Sequence, residues 1–401
     1  MGEEVEYKPI PVKDILTNMK NLSELMVSLA YYSILYGDRE LTKEVFKLEG
    51  EVDELQLLLT MQASLATRSV SDAEKMVSVY KIAEATNRIS DAAADIAAIA
   101  LSKIKIPPSV ALTVFDVQEA VSKVKVAKGE ALDLKSIMER LGIVFDVLAV
   151  RRDKKWFFQP SKSFRVERGD VLLVKGSLEA IKKLREHFGL APLKPEVEEV
   201  PAKYRDLAEK IIQLKRTSEF MVDLAYTALL TRSEDVAKYV ADTEEWVDRL
   251  VEQFEYEVVG DERLSDSERI GFLKIATSSE NIADAANDLA LLILKGLEPH
   301  PIIDYVIEES EERISVIEMD ETDEGKTLSE LGYTKRGIIV LAVRRGEEWF
   351  IMPSYSGFRV KNGDLLLVRY LAESEEFVEE LEKEEDREEI IEEIQEEEWE
   401  E

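Results

Sequence analysis

The string Leu148-Ala149-Val150-Arg151-Arg152 occurs twice in the chain, returning 193 positions later as Leu341-Ala342-Val343-Arg344-Arg345. The residues after it return as well. Trp156-Phe157 recurs as Trp349-Phe350, Pro160-Ser161 as Pro353-Ser354, Phe164-Arg165-Val166 as Phe358-Arg359-Val360, and Gly169-Asp170 as Gly363-Asp364. The offset drifts only from 193 to 194 across these landmarks. Landmarks matched in one order at one spacing mark an internal duplication. The chain is therefore two copies of a unit of roughly 195 residues, and a fold that suits one copy has to suit the other.

Proline divides each copy. Pro9 and Pro11 precede a first segment and Pro107-Pro108 end it; Pro192, Pro195 and Pro201 separate the copies; Pro299 and Pro301 end the corresponding segment of the second copy. Proline is poorly tolerated inside helices, so the stretches between these marks are the natural domains. They are 1–111 and 193–304, which read as helical, and 112–192 and 305–382, which read as mixed, with an acidic tail at 383–401.

Residues 12–104 read as three long helices. Ile15, Met19, Leu22, Met26 and Leu29 keep one apolar stripe, as do Leu41, Val45, Leu48, Val52, Leu55 and Leu59. Only Thr243 interrupts the second stripe in the other copy, Val236 to Phe254. A capping box at Ser71-Asp-Ala-Glu74 predicts the start of the third helix, and Ser265-Asp-Ser-Glu268 predicts its counterpart. Helices joined by short loops imply an antiparallel bundle. Residues 114–190 change period. Val121–Val126 alternates like a strand, Leu134–Leu141 is a short helix stopped by Gly142, and strands follow at Val144–Val150, Trp156–Gln159 and Val171–Lys175 before a helix at Leu178–Phe188. This pattern is a small α+β module with a hairpin-rich sheet.

Composition narrows the function. Lys and Arg number 52 against 84 Asp and Glu, a net charge of −32, and the last 29 residues alone carry −16. Such a chain is repelled by phosphate backbones, so a nucleic-acid partner is not expected. No cysteine is present, which removes disulfides and thiolate sites. The two histidines, His187 and His300, fall near element ends and read as surface residues. No two glycines stand two apart, so no G-x-G-x-x-G loop exists and NAD is not expected as a cofactor. Neither histidine sits in Glu-x-x-His, the pattern of di-iron bundles. No catalytic residue is assigned. No apolar run approaches the roughly 20 residues of a membrane span, so a cytoplasmic location is expected.

The strand ending in Leu-Ala-Val-Arg-Arg, followed by Trp-Phe, a proline and a Gly-Asp turn before an apolar strand, resembles the C-terminal domain of regulators of potassium conductance (RCK-C), also called the TrkA C-terminal domain. The resemblance covers about 70 residues per copy; the loop before Leu341 is longer than the one before Leu148. The helical segment resembles a PhoU domain. That family carries an acid-xxx-Asp pair on two neighbouring helices. The matching residues are Glu49/Asp53 and Asp91 in the first copy, where Asn87 replaces an acid, and Glu244/Asp248 with Glu280/Asp284 in the second. The resemblance implies an α+β multidomain chain in which two PhoU-like antiparallel three-helix modules alternate with two small TrkA C-terminal modules.

Residues four apart share a helix face, so two facing pairs would cluster oxygen ligands suited to a divalent cation. The competing reading is a solvated helix flank, because chance alone places about 17 acid pairs at this spacing in so acidic a chain. Recurrence at equivalent positions is what raises the metal reading against that flank, with Glu244, Asp248, Glu280 and Asp284 ahead of Glu49, Asp53 and Asp91. Arg151 and Arg344 are weaker candidates for a small anionic ligand. Neighbouring strand residues face opposite sides, so only one arginine of each pair can serve one site; ordinary strand-end charge is the alternative.

By resemblance the chain is a cytoplasmic regulatory or ligand-sensing protein, not an enzyme. It would act in potassium or other cation transport, reach the membrane through a channel or transporter subunit, and form a homodimer. A PhoU-like regulator of phosphate uptake is the alternative, and a carboxylate-metal hydrolase is a third class.

Overall fold

The computed structural model describes residues 7–102, 120–127, 132–153, 155–191, 204–346, 348–351 and 353–381. The acidic tail at 383–401 and the prolines at 107, 108, 192, 195 and 201 lie outside these residues. The first copy opens with α1 (Val12–Tyr36), α2 (Arg39–Ala66) and α3 (Val70–Leu101). Gly37 ends α1 at φ 58, a left-handed position that glycine adopts without a Cβ clash. Asp38 then caps α2 by accepting from the Leu41 N–H.

The expected capping box at Ser71 is not used. Ser69 caps α3 instead, accepting from the Asp72 N–H, and the Asp72 carboxylate accepts in return from the Arg68 N–H at 3.0 Å. An acid placed after Ser69 serves the same reciprocal bonding, so the helix starts at Val70 rather than after Ser71.

The mixed segment contains β1 (Ala120–Lys125), β2 (Leu132–Asp133), α4 (Leu134–Leu141), β3 (Asp146–Arg152), β4 (Lys155–Phe158), β5 (Arg165–Val166), β6 (Val171–Gly176) and α5 (Leu178–His187). The second copy repeats the plan with α6 (Arg205–Thr231), α7 (Glu234–Gly260), α8 (Asp266–Leu294) and a short α9 (Ile302–Glu308). Here the capping box at Ser265 and Glu268 forms as expected. His300 is part-buried rather than a plain surface residue: its Nδ1 accepts from the Ile302 N–H and caps the start of α9. Then come β7 (Glu312–Glu318), α10 (Leu328–Leu331), β8 (Ile338–Arg345), β9 (Glu348–Ile351), β10 (Leu365–Leu371) and α11 (Glu375–Leu381). Among the described residues, no helix is long and apolar enough to cross a membrane.

The four segments form two compact units by pairing like with like. One holds described residues up to 102 and 204–314; the other holds 120–191 and 315–381.

In the helical unit α3 lies against α8. Ala93 and Ala97 on α3 and Ala283, Ala286 and Ala290 on α8 are buried, and side chains this small let helix axes approach closely. The copies also exchange cations. Lys20 Nζ pairs with Glu24 at 2.7 Å and lies 5.1 Å from the Tyr226 ring. Lys215 Nζ pairs with Glu219 at 2.5 Å and lies 5.0 Å from the Tyr31 ring. Each lysine thus sits under a tyrosine of the other copy, and all three residue types recur 195 positions apart. A buried ammonium is tolerated only when paired, and an aromatic face adds attraction.

In the α+β unit each copy builds a four-stranded antiparallel sheet, in the orders β1-β6-β3-β4 and β7-β10-β8-β9. One core gathers Val124, Ile137, Phe145, Val150, Leu172 and Ile181. The other gathers Ile317, Val340, Val343, Leu366, Val368 and Val378. The second arginine of each repeated pair is structural. Arg152 forks onto the buried Asp170 at 2.9 and 2.8 Å, and Arg345 onto the buried Asp364 at 2.7 and 2.7 Å. Each thereby ties a strand end to the Gly-Asp turn. The two modules dock on each other, as paired modules with small cores are expected to. The Val144 N–H donates to Lys335 O at 3.3 Å, Lys335 pairs with Glu179 at 3.3 Å, and Lys162 Nζ donates to Ala372 O at 3.0 Å. Gly337 has φ +72 and brings its backbone against Val144, where a Cβ would come within 3.2 Å.

Replacing Lys20 by Met removes the ammonium that pairs with the Glu24 carboxylate at 2.7 Å. The helical unit should lose about 3 kcal/mol, the low end for a broken buried pair because Glu24 keeps some contact with water. The double replacement Lys20→Met, Glu24→Leu removes both charges and should recover most of that loss. Denaturant unfolding of the three proteins, followed by circular dichroism, measures both effects.

Candidate functional site

The acid pairs of the second copy lie on α7 and α8, which pack side by side. Glu244 and Asp248 are one helical turn apart on α7; Glu280 and Asp284 are one turn apart on α8. Carboxylate oxygens of Glu244, Asp248 and Asp284 lie within 4.8 Å of one another. Three of the four expected residues therefore converge. Glu280 sits one turn before Asp284, outside that group but within its field.

The site is charged against its own preference. Burial first, then Asp248, raises the pKa of Glu244, and the Asn287 amide opposes this by hydrogen bonding to the carboxylate. Burial, Asp248 and Asp284 push Glu280 up to about 7. Burial also raises Asp284, against the pull of the Arg88 guanidinium. The Asn287 Oδ1 is buried with no hydrogen-bond donor among the described residues.

Arg88 is the residue the sequence did not reveal. It reaches across from α3 of the first copy, and its Nη2 donates to Asp284 Oδ2 at 3.0 Å and its Nη1 to Asp288 Oδ2 at 2.7 Å. Asp288 and Asn287 were also missed. The run Glu280-xxx-Asp284-xxx-Asp288 along one face was a visible signal for Asp288. Nothing in the sequence indicates that α3 and α8 meet, so nothing pointed to Arg88.

The first copy is built differently. Glu49 is raised by burial and by Asp91, Asp53 and Asp95, and Asp91 by burial, Asp53 and Asp95. Asn87 Nδ2 reaches Asp91 Oδ2 at 3.5 Å. Among the described residues these acids do not form a convergent group like that of the second copy. The position equivalent to Arg88 is Asn281, so no guanidinium is available there.

The donor set of the second copy fits a divalent cation. An ion with oxygen ligands at about 2.3–2.6 Å spans about 4.6–5.2 Å between opposite donors. Three carboxylates within 4.8 Å match that span. Arg88 occupies one oxygen each of Asp284 and Asp288 and leaves the others.

Arg151 and Arg344, the candidates for an anion, both stack on a tryptophan. The Arg151 guanidinium is 5.4 Å from the Trp156 ring, and that of Arg344 is 5.9 Å from the Trp349 ring.

The PhoU domain family matches residues 16–100 and again 211–293. The TrkA-C domain family matches residues 121–189 and 315–381. No curated protein matches the chain. Among solved structures, PhoU from Pseudomonas aeruginosa is similar at 17% identity and TM-score 0.39, covering 71% of this chain and 96% of that one. The phosphate transport system regulatory protein PhoU from Streptococcus pneumoniae is similar at 12% identity and TM-score 0.38, covering 71% and 95%. The GsuK RCK domain is similar at 12% identity and TM-score 0.18, covering 72% of each chain.

Glu280 yields a signed prediction. A carboxyl whose pKa is higher in the folded state than in the unfolded chain costs stability once it ionises. That cost is absent below 4.5, the ordinary value, grows as pH rises, and is complete above about 7. At a half-exposed position solvent screening reduces it to about 1 kcal/mol. Glu280→Gln should therefore melt higher than the wild type at pH 8 and level with it at pH 4, in metal-free buffer. Melting curves across that range check the sign.

Proposed function

We propose, for a chain that is a duplicated tandem of PhoU and TrkA-C domains, a role as a regulator of membrane cation transport, with potassium the leading ion. The observation that carries this reading is the presence of both domain types, each twice, in one polypeptide. In this reading the chain works in the cytoplasm, as a homodimer, on a channel or transporter subunit, and catalyses no reaction.

The acid cluster is the input. Glu244, Asp248 and Asp284 would supply oxygen ligands to a divalent ion, with Glu280 adding charge nearby and the Asn287 amide orienting Glu244. The bound ion would supply positive charge that cancels the repulsion between α7 and α8. Arg88 holds Asp284 and Asp288 from α3, so it competes for the same carboxylates and links ion binding to the contact between copies.

Two measurements test this. Disrupting the gene in its own organism should change rubidium uptake and leave phosphate uptake unchanged. The opposite result would support the phosphate-uptake reading, which the two PhoU matches also favour.

Thermal melts after chelator treatment test the ion. Mn²⁺, Mg²⁺ or Ca²⁺ should raise the melting temperature of the wild type, equivalent to about 2.7 kcal/mol at a hundredfold excess over Kd. Asp248→Asn should remove most of the rise, Asp91→Asn little, and Arg88→Ala should enlarge it by freeing two carboxylates. If no ion shifts the wild type, the cluster is a solvated helix flank.

A further inference from the structure

The first α+β module carries a cavity of about 480 Å³ whose lining includes Lys123, Lys125, Arg151 and Arg185, with Asp153 the one acid among the described residues. Strand register explains how these cations meet. Lys125 stands opposite Val171 across β1 and β6, and Val171 stands opposite Arg151 across β6 and β3. A cross-strand row shares one face, as do residues two apart on a strand. Lys123, Lys125 and Arg151 therefore project to the same side, around Val171. Arg185 arrives from α5 at the β1 edge.

Among the described residues none of these cations forms an ion pair with a carboxylate, although Asp153 lies in the same lining. Arg151 is held by the Trp156 ring at 5.4 Å. Arg185 donates to backbone oxygens, Nη1 to Lys123 O at 3.2 Å and Nε and Nη2 to Ala191 O at 3.1 and 3.0 Å. Its other two N–H groups make no hydrogen bond among the described residues. Four cations around a single described acid, Asp153, are unusual in a chain with 84 acids and 52 bases.

The second copy shows that the fold does not need them. Val126 and Met319 are equivalent: each N–H donates to the carbonyl of the turn aspartate, Asp170 or Asp364, at 2.9 and 2.8 Å. Counting back, Lys125 corresponds to Glu318 and Lys123 to Val316. The same strand forms with a glutamate and a valine in their places. The hairpin residue Asp153, at φ 56, corresponds to Gly346 at φ 60.

The geometry points to a binding site for a small, multiply charged phosphate compound, a di- or triphosphate group, in this cavity of the first copy alone. Guanidinium forks match phosphate oxygens bidentately, and ammonium groups add point charge. The volume lies in the range of small-ligand pockets. A long nucleic acid would meet the field of a chain at −32, whereas a compact anion enters a locally positive cavity. The site is independent of the acid cluster.

The test is calorimetry on the full chain, freed of metals and then of chelator, at low salt. Tripolyphosphate, ATP and orthophosphate are titrated separately. Tripolyphosphate should bind, orthophosphate more weakly, and affinity should fall as salt screens the charges. ATP binding tighter than tripolyphosphate identifies a nucleotide ligand; equal binding identifies the phosphate chain itself as the recognised group.

The double variant Lys123→Val, Lys125→Glu installs the residues of the second copy and should weaken binding at least about tenfold, the worth of a single charge-assisted contact. Asp153→Gly removes the opposing carboxylate and should tighten binding about threefold. Arg344→Gln and Asp248→Asn should bind as the wild type does, which separates this site from the second copy and from the metal reading. The inference is overturned if the wild type binds none of the three compounds, or if the double variant and Asp153→Gly both bind like the wild type.

Discussion

A buried lysine and a part-buried one cross reciprocally between the copies of the helical unit. Lys20 and Lys215 each carry a charge that the interior tolerates only beside a carboxylate, and Glu24 and Glu219 supply it from one turn further on. Each then lies under the tyrosine of the opposite copy, Tyr226 and Tyr31. The reciprocity requires both crossings together, so the copies meet in a single register. That register sets α3 against α8 and carries Arg88 to Asp284 and Asp288.

Duplication gave each backbone position a second trial, and the copies diverged in charge rather than in fold. Glu280 has Asn87 as its counterpart, Arg88 has Asn281, Lys125 has Glu318, and Asp153 has Gly346. The acids converge in the helical module of the second copy, and the cations gather in the α+β module of the first. None of these charges anchors the core of its module, so the same long helices and four-stranded sheet form in both copies. The residues that hold the fold, such as Asp170 and Asp364 under their arginines, are the same in both copies.

The repeated Arg-Arg pair shows how neighbouring positions on a strand take different work. Arg152 and Arg345 turn towards a buried aspartate and lock the Gly-Asp turn. Arg151 and Arg344 face the other side and lie on tryptophan. The alternation of a strand enforces this division. In each copy, one arginine is thereby committed to the turn and the other is supported by an aromatic face.

The duplication, the three-helix plan, the hairpin-rich modules and the acid pairs on one helix face are all legible in the chain, because they follow from local periodicity and from spacing. The local pattern misplaced the start of α3, where Ser69 and Asp72 outcompete Ser71 and Glu74 for the same backbone groups. Tertiary structure alone decided which segments pair. It brought three of four acids together and left Glu280 beside them, placed Arg88 on the cluster, and closed Lys123, Lys125, Arg151 and Arg185 around one cavity. Those contacts join residues far apart in the chain, and no periodicity records which helix face or sheet edge will meet another.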